Sequence, residues 1–594
     1  MASVNITLNG QKIAAQAGQT VLEAAQAAGV DIPTLCHHPV LKPIGACRVC
    51  LVEVKGQRSL QPACTFPVAD RMEVQTESPK VVQARKFILE LIFSERNHFC
   101  MYCEMSGDCE LQALGYRYGL DHWVHPTYTQ NFPVDASADD FLLDHNRCVL
   151  CRRCVRACRE LVANHTLDLR QRGALTMLSA DMDVALAESS CVACGVCLDV
   201  CPTGALIDKR SAFMARADET ERIQSICSQC SLGCGIEIVA RRGHVLRIEG
   251  QWDAPVSGGL LCQRGRFQAL NDRRPRIHAP LLRANGRQIE VSWERALQAA
   301  AQRLAQANPQ RLGVLTTTQA TNEALHLLKK LFGQVLQAKY TGFFNKVVPR
   351  LSSAPSGSLA DLSASDCILV VGADPVKEQP VAAFMIKRAA DRESRLIVVE
   401  NQTTPLSDYA DTVLPLNAIE QAVAMALKAE RPVVLYGAHV TAEACRSLAK
   451  LDGRAPWVAL QPGVNTYAAD ALGFGKYADT AALDVAFVLA GEEGPNLTPI
   501  EASLRNAASI VVQASYASPL TDRADVVLPM ATWLERSGTL TNTTGCMQKA
   551  CQAKEPEGEA KPDWEILGLL AEKLDRSFQV AVDEIAPSAT RVWQ

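Results

Sequence analysis

The cysteines of this chain constrain its fold most strongly, because 19 of the 23 lie within the first 262 of its 594 residues. Many are separated by only two residues, a spacing that favours a shared metal site over ordinary disulfides. The chain is also too long to need the disulfide framework of a small secreted domain. We therefore expect the N-terminal part to fold around metal centres.

Composition and hydropathy argue against several other classes of protein. The formal net charge is −4, and no basic stripe or zinc-finger spacing with paired histidines favours nucleic acid. No apolar run reaches the length of about 18 residues that predicts a membrane span, and MASVNITLNGQKI lacks the regions of a signal peptide. We expect a cytoplasmic, multidomain protein that contacts a membrane only through partners, peripherally on its cytoplasmic face.

The first cysteine set has the spacing C-x10-C-x2-C-x13-C. It follows a predicted β-hairpin and helix, and LVEVKG predicts a strand between its last two members. Four thiolates converging on a small volume suit a 2Fe–2S cluster. Zinc is the alternative, but zinc sites usually have two close pairs and this set has one. The candidate ligands are Cys36, Cys47, Cys50 and Cys64.

The second set lies in NHFCMYCEMSGDCELQ, after the helical pattern PKVVQARKFILELIFSERN. Three cysteines and one histidine suit a 4Fe–4S cluster, since a neutral imidazole is able to replace one thiolate. The alternative is that the histidine only donates a hydrogen bond to a cluster sulfur. The candidate ligands are His98, Cys100, Cys103 and Cys109.

The spacing C-x2-C-x2-C-x3-C occurs twice, and the second run ends in Cys201-Pro202. In bacterial two-cluster ferredoxins the last cysteine of each run binds the cluster of the other run. We therefore predict two 4Fe–4S clusters, with zinc or unligated cysteines as the poorly matching alternative. One cluster is assigned to Cys148, Cys151, Cys154 and Cys201, and the other to Cys191, Cys194, Cys197 and Cys158.

Four arginines lie in or beside the first run: Arg147, Arg152, Arg153 and Arg156. Positive charge beside an anionic cluster would favour the reduced form of that cluster. A solvated helix face is an equally open interpretation for any one of them.

A fourth block has the spacing C-x2-C-x3-C-x27-C and predicts another 4Fe–4S cluster. IEIVARRGHVLRIEG predicts a strand pair that turns at Gly243 and returns the distant cysteine to the first three. The candidate ligands are Cys227, Cys230, Cys234 and Cys262.

From about residue 275 onward the pattern becomes α/β. Helical segments between some of the apolar runs supply crossovers, so we expect one or two doubly wound sheets. The runs that predict buried parallel strands are LGVLTT, CILVVG, RLIVVE, PVVLYG, VAFVLAG and SIVVQAS.

Taken in order, these motifs resemble the G-type iron–sulfur subunit of the NADH:quinone oxidoreductase (complex I) family over nearly the whole chain. The resemblance implies a multidomain α+β then α/β fold and an electron-transfer subunit without a substrate-transforming site of its own. It implies one 2Fe–2S cluster and four 4Fe–4S clusters. The implied domains are a β-grasp 2Fe–2S ferredoxin-like domain at 1–78, a helical His/Cys3 domain at 79–140, a two-cluster ferredoxin domain at 141–215, a molybdopterin-oxidoreductase-type 4Fe–4S domain at 220–275 and a degenerate molybdopterin-oxidoreductase α/β domain at 276–594.

The resemblance also implies partners: a flavin-bearing NADH dehydrogenase subunit, a small 2Fe–2S subunit, and a downstream iron–sulfur, hydrogenase or dehydrogenase subunit. No G-x-G-x-x-G followed by the required acidic residue gives this chain a nicotinamide site of its own. Three other hypotheses stay open. They are an electron-wire subunit of an NAD-linked hydrogenase or formate dehydrogenase, a catalytic molybdopterin formate dehydrogenase, and an assembly scaffold with structural clusters.

Two positions bear on these alternatives. The complex I pattern has its histidine four residues before the first cysteine, where this chain has Arg96, so NHFC is closer to the hydrogenase and formate dehydrogenase versions. In catalytic molybdopterin relatives a basic residue lies between cluster and pterin, and Arg264 occupies the matching position. No cysteine that would hold the metal occurs between Cys262 and Cys367. The resemblance therefore implies a vestigial domain without molybdopterin.

Overall fold

The computed structural model describes residues 3–126, 131–343, 347–349, 351, 357–476, 482–492, 504–576 and 591–593. The chain divides into a first unit, residues 1–220, and a second unit, residues 221–594. In the described ranges no helix is both long and apolar enough to cross a membrane.

The first unit contains short strands and short helices. Its strands are β1 (Ser3–Leu8), β2 (Gln11–Gln16), β3 (Leu51–Val54), β4 (Gln61–Pro62), β5 (Glu73–Gln75), β6 (Val134–Asp135), β7 (Phe141–Asp144), β8 (Leu167–Arg170), β9 (Met177–Ala180) and β10 (Leu206–Asp208). Its helices are α1 (Val21–Ala27), α2 (Pro79–Glu95), α3 (Glu110–Arg117), α4 (Arg153–Arg156) and α5 (Val196–Asp199).

The N-terminal sheet has the strand order β2-β1-β5-β3-β4, in which β1 pairs antiparallel with β2 and parallel with β5. Helix α1 begins with a capping box, since Thr20 accepts from the Glu23 amide and the Glu23 carboxylate accepts from Thr20. The helix buries Val21 and Leu22 against the sheet core. The predicted hairpin, helix and LVEVKG strand are confirmed.

Helix α2 begins at Ser78, which caps the Val81 amide, with Pro79 in the first turn. It buries Arg85 completely, and this guanidinium pairs with Glu77 at 2.7 Å and donates to the Leu51 carbonyl at 2.8 Å. The helix therefore joins the N-terminal sheet to the segment that carries the second ligand set.

The second unit is larger and has longer, more apolar strands. Its strands are β11 (Glu221–Ile226), β12 (Gly235–Arg241), β13 (His244–Gly250), β14 (Leu281–Ala284), β15 (Arg287–Glu290), β16 (Leu312–Thr316), β17 (Tyr340–Phe343), β18 (Cys367–Val371), β19 (Arg395–Val399), β20 (Thr412–Leu414), β21 (Pro432–Tyr436), β22 (Trp457–Ala459), β23 (Gly475–Lys476), β24 (Val485–Gly491), β25 (Ser509–Ala514), β26 (Val526–Pro529), β27 (Gly538–Thr541), β28 (Cys546–Ala550) and β29 (Arg591–Trp593). Its helices are α6 (Gln263–Arg266), α7 (Trp293–Gln306), α8 (Asn322–Leu328), α9 (Pro375–Glu378), α10 (Pro380–Ala390), α11 (Ile419–Ala426), α12 (Ala442–Leu448), α13 (Thr466–Ala471), α14 (Pro519–Arg523) and α15 (Asp563–Lys573).

Two large sheets form the centre of this unit, as far as the described residues show. The first has the order β15-β14-β26-β25-β24-β16-β17-β23 and the second the order β20-β19-β18-β21-β22. All six predicted apolar strands lie in these sheets and pair in parallel. The antiparallel hairpin β14–β15 at one edge of the first sheet was not predicted from the sequence.

The core of the larger sheet is apolar on both faces. Strand β24 is buried along its whole length, and Phe487 packs against Phe332 with ring centroids 4.8 Å apart. Leu489 and Leu325 belong to the same cluster, together with residues of α7 and α15. Strands buried on both faces are typical of parallel sheets covered by helices.

Candidate iron–sulfur sites

The first cysteine set converges at the end of the N-terminal sheet. The Cys36 amide donates to Cys47 Sγ at 3.4 Å, the Cys47 amide donates to Cys36 Sγ at 3.5 Å, and Cys50 and Cys64 Sγ lie 3.4 Å apart. Hydrogen bonds among the thiols lower the pKa of Cys36 to about 2 and raise the pKa of Cys47 and Cys64. Thiols this close become thiolates together only beside a positive charge such as bound iron, so the donor set fits a 2Fe–2S cluster.

The second set lines one cavity of about 320 Å³, part of it open to solvent. His98, Cys100, Cys103 and Cys109 all face it, together with Arg147. Burial raises the pKa of Cys100, and it raises that of Cys109 to about 12. The structure therefore brings together all four residues that the sequence predicts, around a space that fits a 4Fe–4S cluster.

His98 is arranged as a neutral ligand. Burial, assisted by the charges of Arg147 and Arg96, lowers the pKa of His98 to about 4. Phe93 packs edge-on against the ring at 5.7 Å. A neutral imidazole has one ring nitrogen with a lone pair that is able to bind iron. Ligation by His98 stays a prediction.

The two ferredoxin-like loops share an unusual backbone. In the first run Leu150 and Arg152 have φ of 52° and 60°, and in the second run Ala193 and Gly195, at matching positions, have φ of 47° and 71°. Left-handed residues turn successive amides toward one side of the loop, and here the Leu150 amide donates to Cys148 Sγ at 3.4 Å. Non-glycine residues rarely adopt this conformation, so the same strain at both loops indicates a shared purpose.

The crossover of the last cysteines is visible in the structure. Cys158 lines the cavity of the second run, of about 530 Å³, together with Cys191, Cys194 and Cys197. Cys158 lies in a single π-helical turn, Ala157–Leu161, that continues α4 and carries it away from the first run. Burial raises the pKa of all three cysteines of the first run, and the nearby Cys201 adds to this rise at each of them. The two donor sets therefore fit two 4Fe–4S clusters in the predicted grouping.

The structure distinguishes among the four arginines of the first run. Arg152 is exposed, as a solvated helix face predicts. Arg153 is buried and pairs with both carboxylate oxygens of Glu110, at 2.5 and 2.8 Å. Arg156 is buried as well and donates to the carbonyls of Lys42, at 2.5 Å, and Cys36. The solvated interpretation is therefore wrong for Arg153 and Arg156.

The segment 201–204 connects the first ferredoxin set to the histidine-containing set. Cys201 belongs to the former, and the Pro202 carbonyl accepts from the Glu110 amide at 3.0 Å, next to Cys109. Gly204 lines the cavity of the latter, where an added Cβ would lie 2.7 Å from Cys103 Sγ. Only glycine allows this approach, so both sites are held by one short stretch of backbone.

The fourth set lies in the second unit, beside the β11-β12-β13 sheet. The Cys227 amide donates to the Cys234 carbonyl at 2.9 Å, and burial strongly raises the pKa of Cys234, as do the charges of Cys230, Cys227 and Cys262. The loop is anchored from the turn between β27 and β28, where Asn542 donates to the Leu232 carbonyl at 3.1 Å. All four cysteines therefore face one another and fit a further 4Fe–4S cluster.

Arg264 lies beside this fourth set but is bound to protein groups. Its guanidinium donates to the Lys377 carbonyl at 2.8 Å and opposes the burial-driven rise in the pKa of Cys227. Cys367 begins β18, at the amino end of a parallel sheet, whereas ligands of open α/β sheets bind at the carboxyl ends. Cys445 lies on α12 and packs against the core of this sheet. These two cysteines therefore do not fit a molybdenum ligand.

Sequence reasoning assigned no role to Arg96, Glu110 or Gly204, although Arg96 was visible as a departure from the complex I pattern. Each acts through contacts with residues 43 or more positions away, so no local spacing indicates them. In the described part of the chain, no three His, Cys, Asp or Glu side chains are arranged to hold a single metal ion.

Comparison with known proteins gives a family model for each region in the order of the sites. The matches are the 2Fe-2S iron-sulfur cluster binding domain at 1–79, the NADH-ubiquinone oxidoreductase-G iron-sulfur binding region at 85–123, the 4Fe-4S dicluster domain at 147–205, the molybdopterin oxidoreductase Fe4S4 domain at 220–269 and the molybdopterin oxidoreductase family at 276–573.

Relatives match nearly the whole chain. NADH-quinone oxidoreductase subunit 3 of Thermus thermophilus is 30% identical over 96% of this chain and 83% of its own length. The chain belongs to the NADH-quinone oxidoreductase-G family. The mitochondrial NADH-ubiquinone oxidoreductase 78 kDa subunit of Candida albicans is 27% identical over 100% of this chain and 86% of its own length. The resemblance inferred from the cysteine motifs is confirmed.

Solved structures match parts of the chain. A chain of an NAD+-reducing NiFe-hydrogenase in the H2-reduced state is 39% identical over 36% of this chain and 91% of its own length, with a TM-score of 0.35.

Proposed function

We propose that this chain relays electrons between a flavin-bearing NADH dehydrogenase partner and a further iron–sulfur subunit of a complex I-like NADH:quinone oxidoreductase. The observation that carries the proposal is the grouping of four ligand sets within the first unit. Iron–sulfur clusters, when bound, supply one-electron transfer at potentials that ligand type, burial and local charge adjust. The protein residues position the clusters and exclude water from them.

Short protein connections link the four sets and support a relay. Arg156 joins the Cys36 carbonyl of the first set to α4 of the ferredoxin region. Cys154 and Cys158 lie one helical turn apart but belong to different ferredoxin sites. The segment 201–204 continues to the histidine-containing site. A continuous path of covalent and hydrogen bonds therefore connects ligand residues of all four sites, and electrons would pass along it.

Several finer assignments belong to the same proposal. They are a β-grasp fold for residues 1–78, the five domain boundaries predicted above, ligation by all 20 candidate residues, and a second unit that holds one 4Fe–4S cluster but no molybdopterin. The commitment of Arg264 to the Lys377 carbonyl and the position of Cys367 support the last. A small 2Fe–2S partner subunit and a location on the cytoplasmic face of a membrane complete it.

The curated relatives do not favour the alternatives, a wire for hydrogenase or formate dehydrogenase and a catalytic formate dehydrogenase. A metal analysis separates the last from the relay. Chain purified anaerobically is expected to contain about 18 iron atoms, from one two-iron and four four-iron clusters, and no molybdenum or tungsten. Stoichiometric molybdenum or tungsten would contradict the pterin-free domain.

Electron transfer itself is tested with the partner. NADH plus the flavin subunit is expected to reduce the clusters, as seen by electron paramagnetic resonance, and the chain alone is expected to stay oxidised with NADH. Full iron content without reduction in the presence of the partner would favour the assembly scaffold instead.

A further inference from the structure

Arg96 ends helix α2, two residues before the candidate ligand His98, and its side chain is buried. Its side chain is 2% exposed. The guanidinium donates to the His145 carbonyl at 2.6 Å and to the Thr176 carbonyl. The central guanidinium carbon, Cζ, lies 4.3 Å from the centre of the Phe132 ring. Its charge is therefore held by carbonyl dipoles and an aromatic face.

This environment resembles that of Arg156, which also donates to backbone carbonyls, and differs from that of two other buried arginines of the same unit. Arg85 pairs with Glu77, and Arg153 pairs with Glu110, so a carboxylate offsets each of these charges. None of the ion pairs among the described residues includes Arg96. A buried cation without a carboxylate is costly, and its field extends further than that of a neutralised pair.

Two ligand sets lie within the reach of this charge. Arg96 lies two residues before His98, which lines the cavity of the histidine-containing site. The His145 carbonyl that accepts from the guanidinium also accepts from the Cys148 amide, at 3.3 Å, and Cys148 is the first ligand of the first ferredoxin set. His145, whose carbonyl holds the guanidinium, lies three residues before that cysteine.

We propose that Arg96 raises the reduction potentials of two neighbouring clusters, the one held by the His98, Cys100, Cys103 and Cys109 set and the one held by the Cys148, Cys151, Cys154 and Cys201 set. The inference rests on the proposed relay and goes beyond it by naming a residue whose charge adjusts the reduction potentials of both clusters. Reduction adds one electron to a cluster and forms or breaks no bond. The added negative charge is stabilised by a nearby cation, so the equilibrium shifts toward the reduced form. Arg96 acts on the two clusters through its positive charge and is not itself a ligand.

The electron donor is the flavin partner in the complex and dithionite in the test. Arg96→Gln removes the charge but keeps an amide that is able to donate to the His145 carbonyl. Redox titration of the full-length, iron-loaded chain with dithionite, followed by electron paramagnetic resonance, measures each cluster potential. We expect the equilibrium constant for reduction of each cluster to fall at least tenfold. This corresponds to a reduction potential lower by about 59 mV for a one-electron couple.

Two control variants isolate the charge. Arg96→Lys keeps a cation and is expected to leave both potentials closer to wild type than Arg96→Gln does. Arg172→Met removes an exposed arginine of the same unit and is expected to change neither potential, because water screens that charge. Glu95, the preceding residue of helix α2, carries the opposite charge, so Glu95→Gln is expected to shift the potentials in the opposite direction.

Unchanged potentials in an iron-loaded Arg96→Gln chain would overturn the proposal. If that variant fails to load iron, Phe132→Leu, which retains Arg96 but opens its aromatic face to water, is expected to lower both potentials by a smaller amount. No shift in loaded Phe132→Leu would count equally against the proposal. Failure of the relay itself looks different, because wild-type clusters would then stay oxidised with NADH and the partner.

Discussion

The two units of the chain are built on different principles. In the first unit, described strands span two to six residues. Cavities of this unit are lined by the cysteine sets, where the second unit has packed apolar side chains. In the second unit, strands such as β24 are buried along their length, and large apolar clusters cover both main sheets. From this comparison we expect the first unit to depend more on bound iron for its stability than the second unit does.

Removing iron is expected to have the largest effect and to separate the two units. Without iron, the buried thiols of the first unit surround an unfilled cavity, and their burial no longer stabilises the folded unit. Anaerobic treatment with a strong chelator is expected to expose residues 1–220 to limited proteolysis while the α/β part of the second unit stays resistant. Mass spectrometry of the fragments checks this, and equal resistance of both units would break the comparison.

A single ligand change is expected to remove one cluster from the first unit. Because Cys158 lines the cavity of the second ferredoxin run, Cys158→Ser is expected to lose the cluster assigned to Cys191, Cys194 and Cys197. Cys201→Ser is expected to lose the other cluster. Iron content should fall by about four atoms in each variant, and electron paramagnetic resonance identifies the missing signal. Loss of the same signal in both would contradict the crossover.

A core change in the second unit is expected to lower stability without lowering iron content. Phe487 is fully buried against Phe332, so Phe487→Ala should reduce the free energy of unfolding of that unit by about 3–5 kcal/mol. Chemical denaturation measures this loss, with Ile289→Ala at an exposed position of β15 as control. A parallel loss of iron from the first unit would show that the two units are not independent.

The smallest effect concerns the left-handed residues of the ferredoxin loops. Ala193 has φ of 47°, so Ala193→Gly should relieve strain of about 1 kcal/mol in the iron-loaded protein. At the matching loop position, Gly195→Ala should introduce a strain of similar size, since φ there is 71°. Thermal unfolding of both variants tests this, and shifts in the same direction would refute a purely conformational effect.

The sequence was sufficient for much of the fold. The six apolar runs of the second unit are strands, as predicted, because runs of this length and composition have few other stable arrangements. The antiparallel edge hairpin β14–β15 was not foreseen, since its strands are short and half-exposed and lack a distinctive pattern.

Spacing by itself determined which residues are candidate ligands, because a cluster needs thiols at separations that a short loop is able to supply. Tertiary structure decided what surrounds them. Arg153 and Arg156 look alike in sequence, yet one pairs with a carboxylate and the other with carbonyls. Arg96 became an uncompensated buried charge only because His145 and Thr176, 49 and 80 residues away, fold around it. Burial and charge pairing depend on contacts between segments that are distant in the sequence, so the local spacing of residues does not predict them.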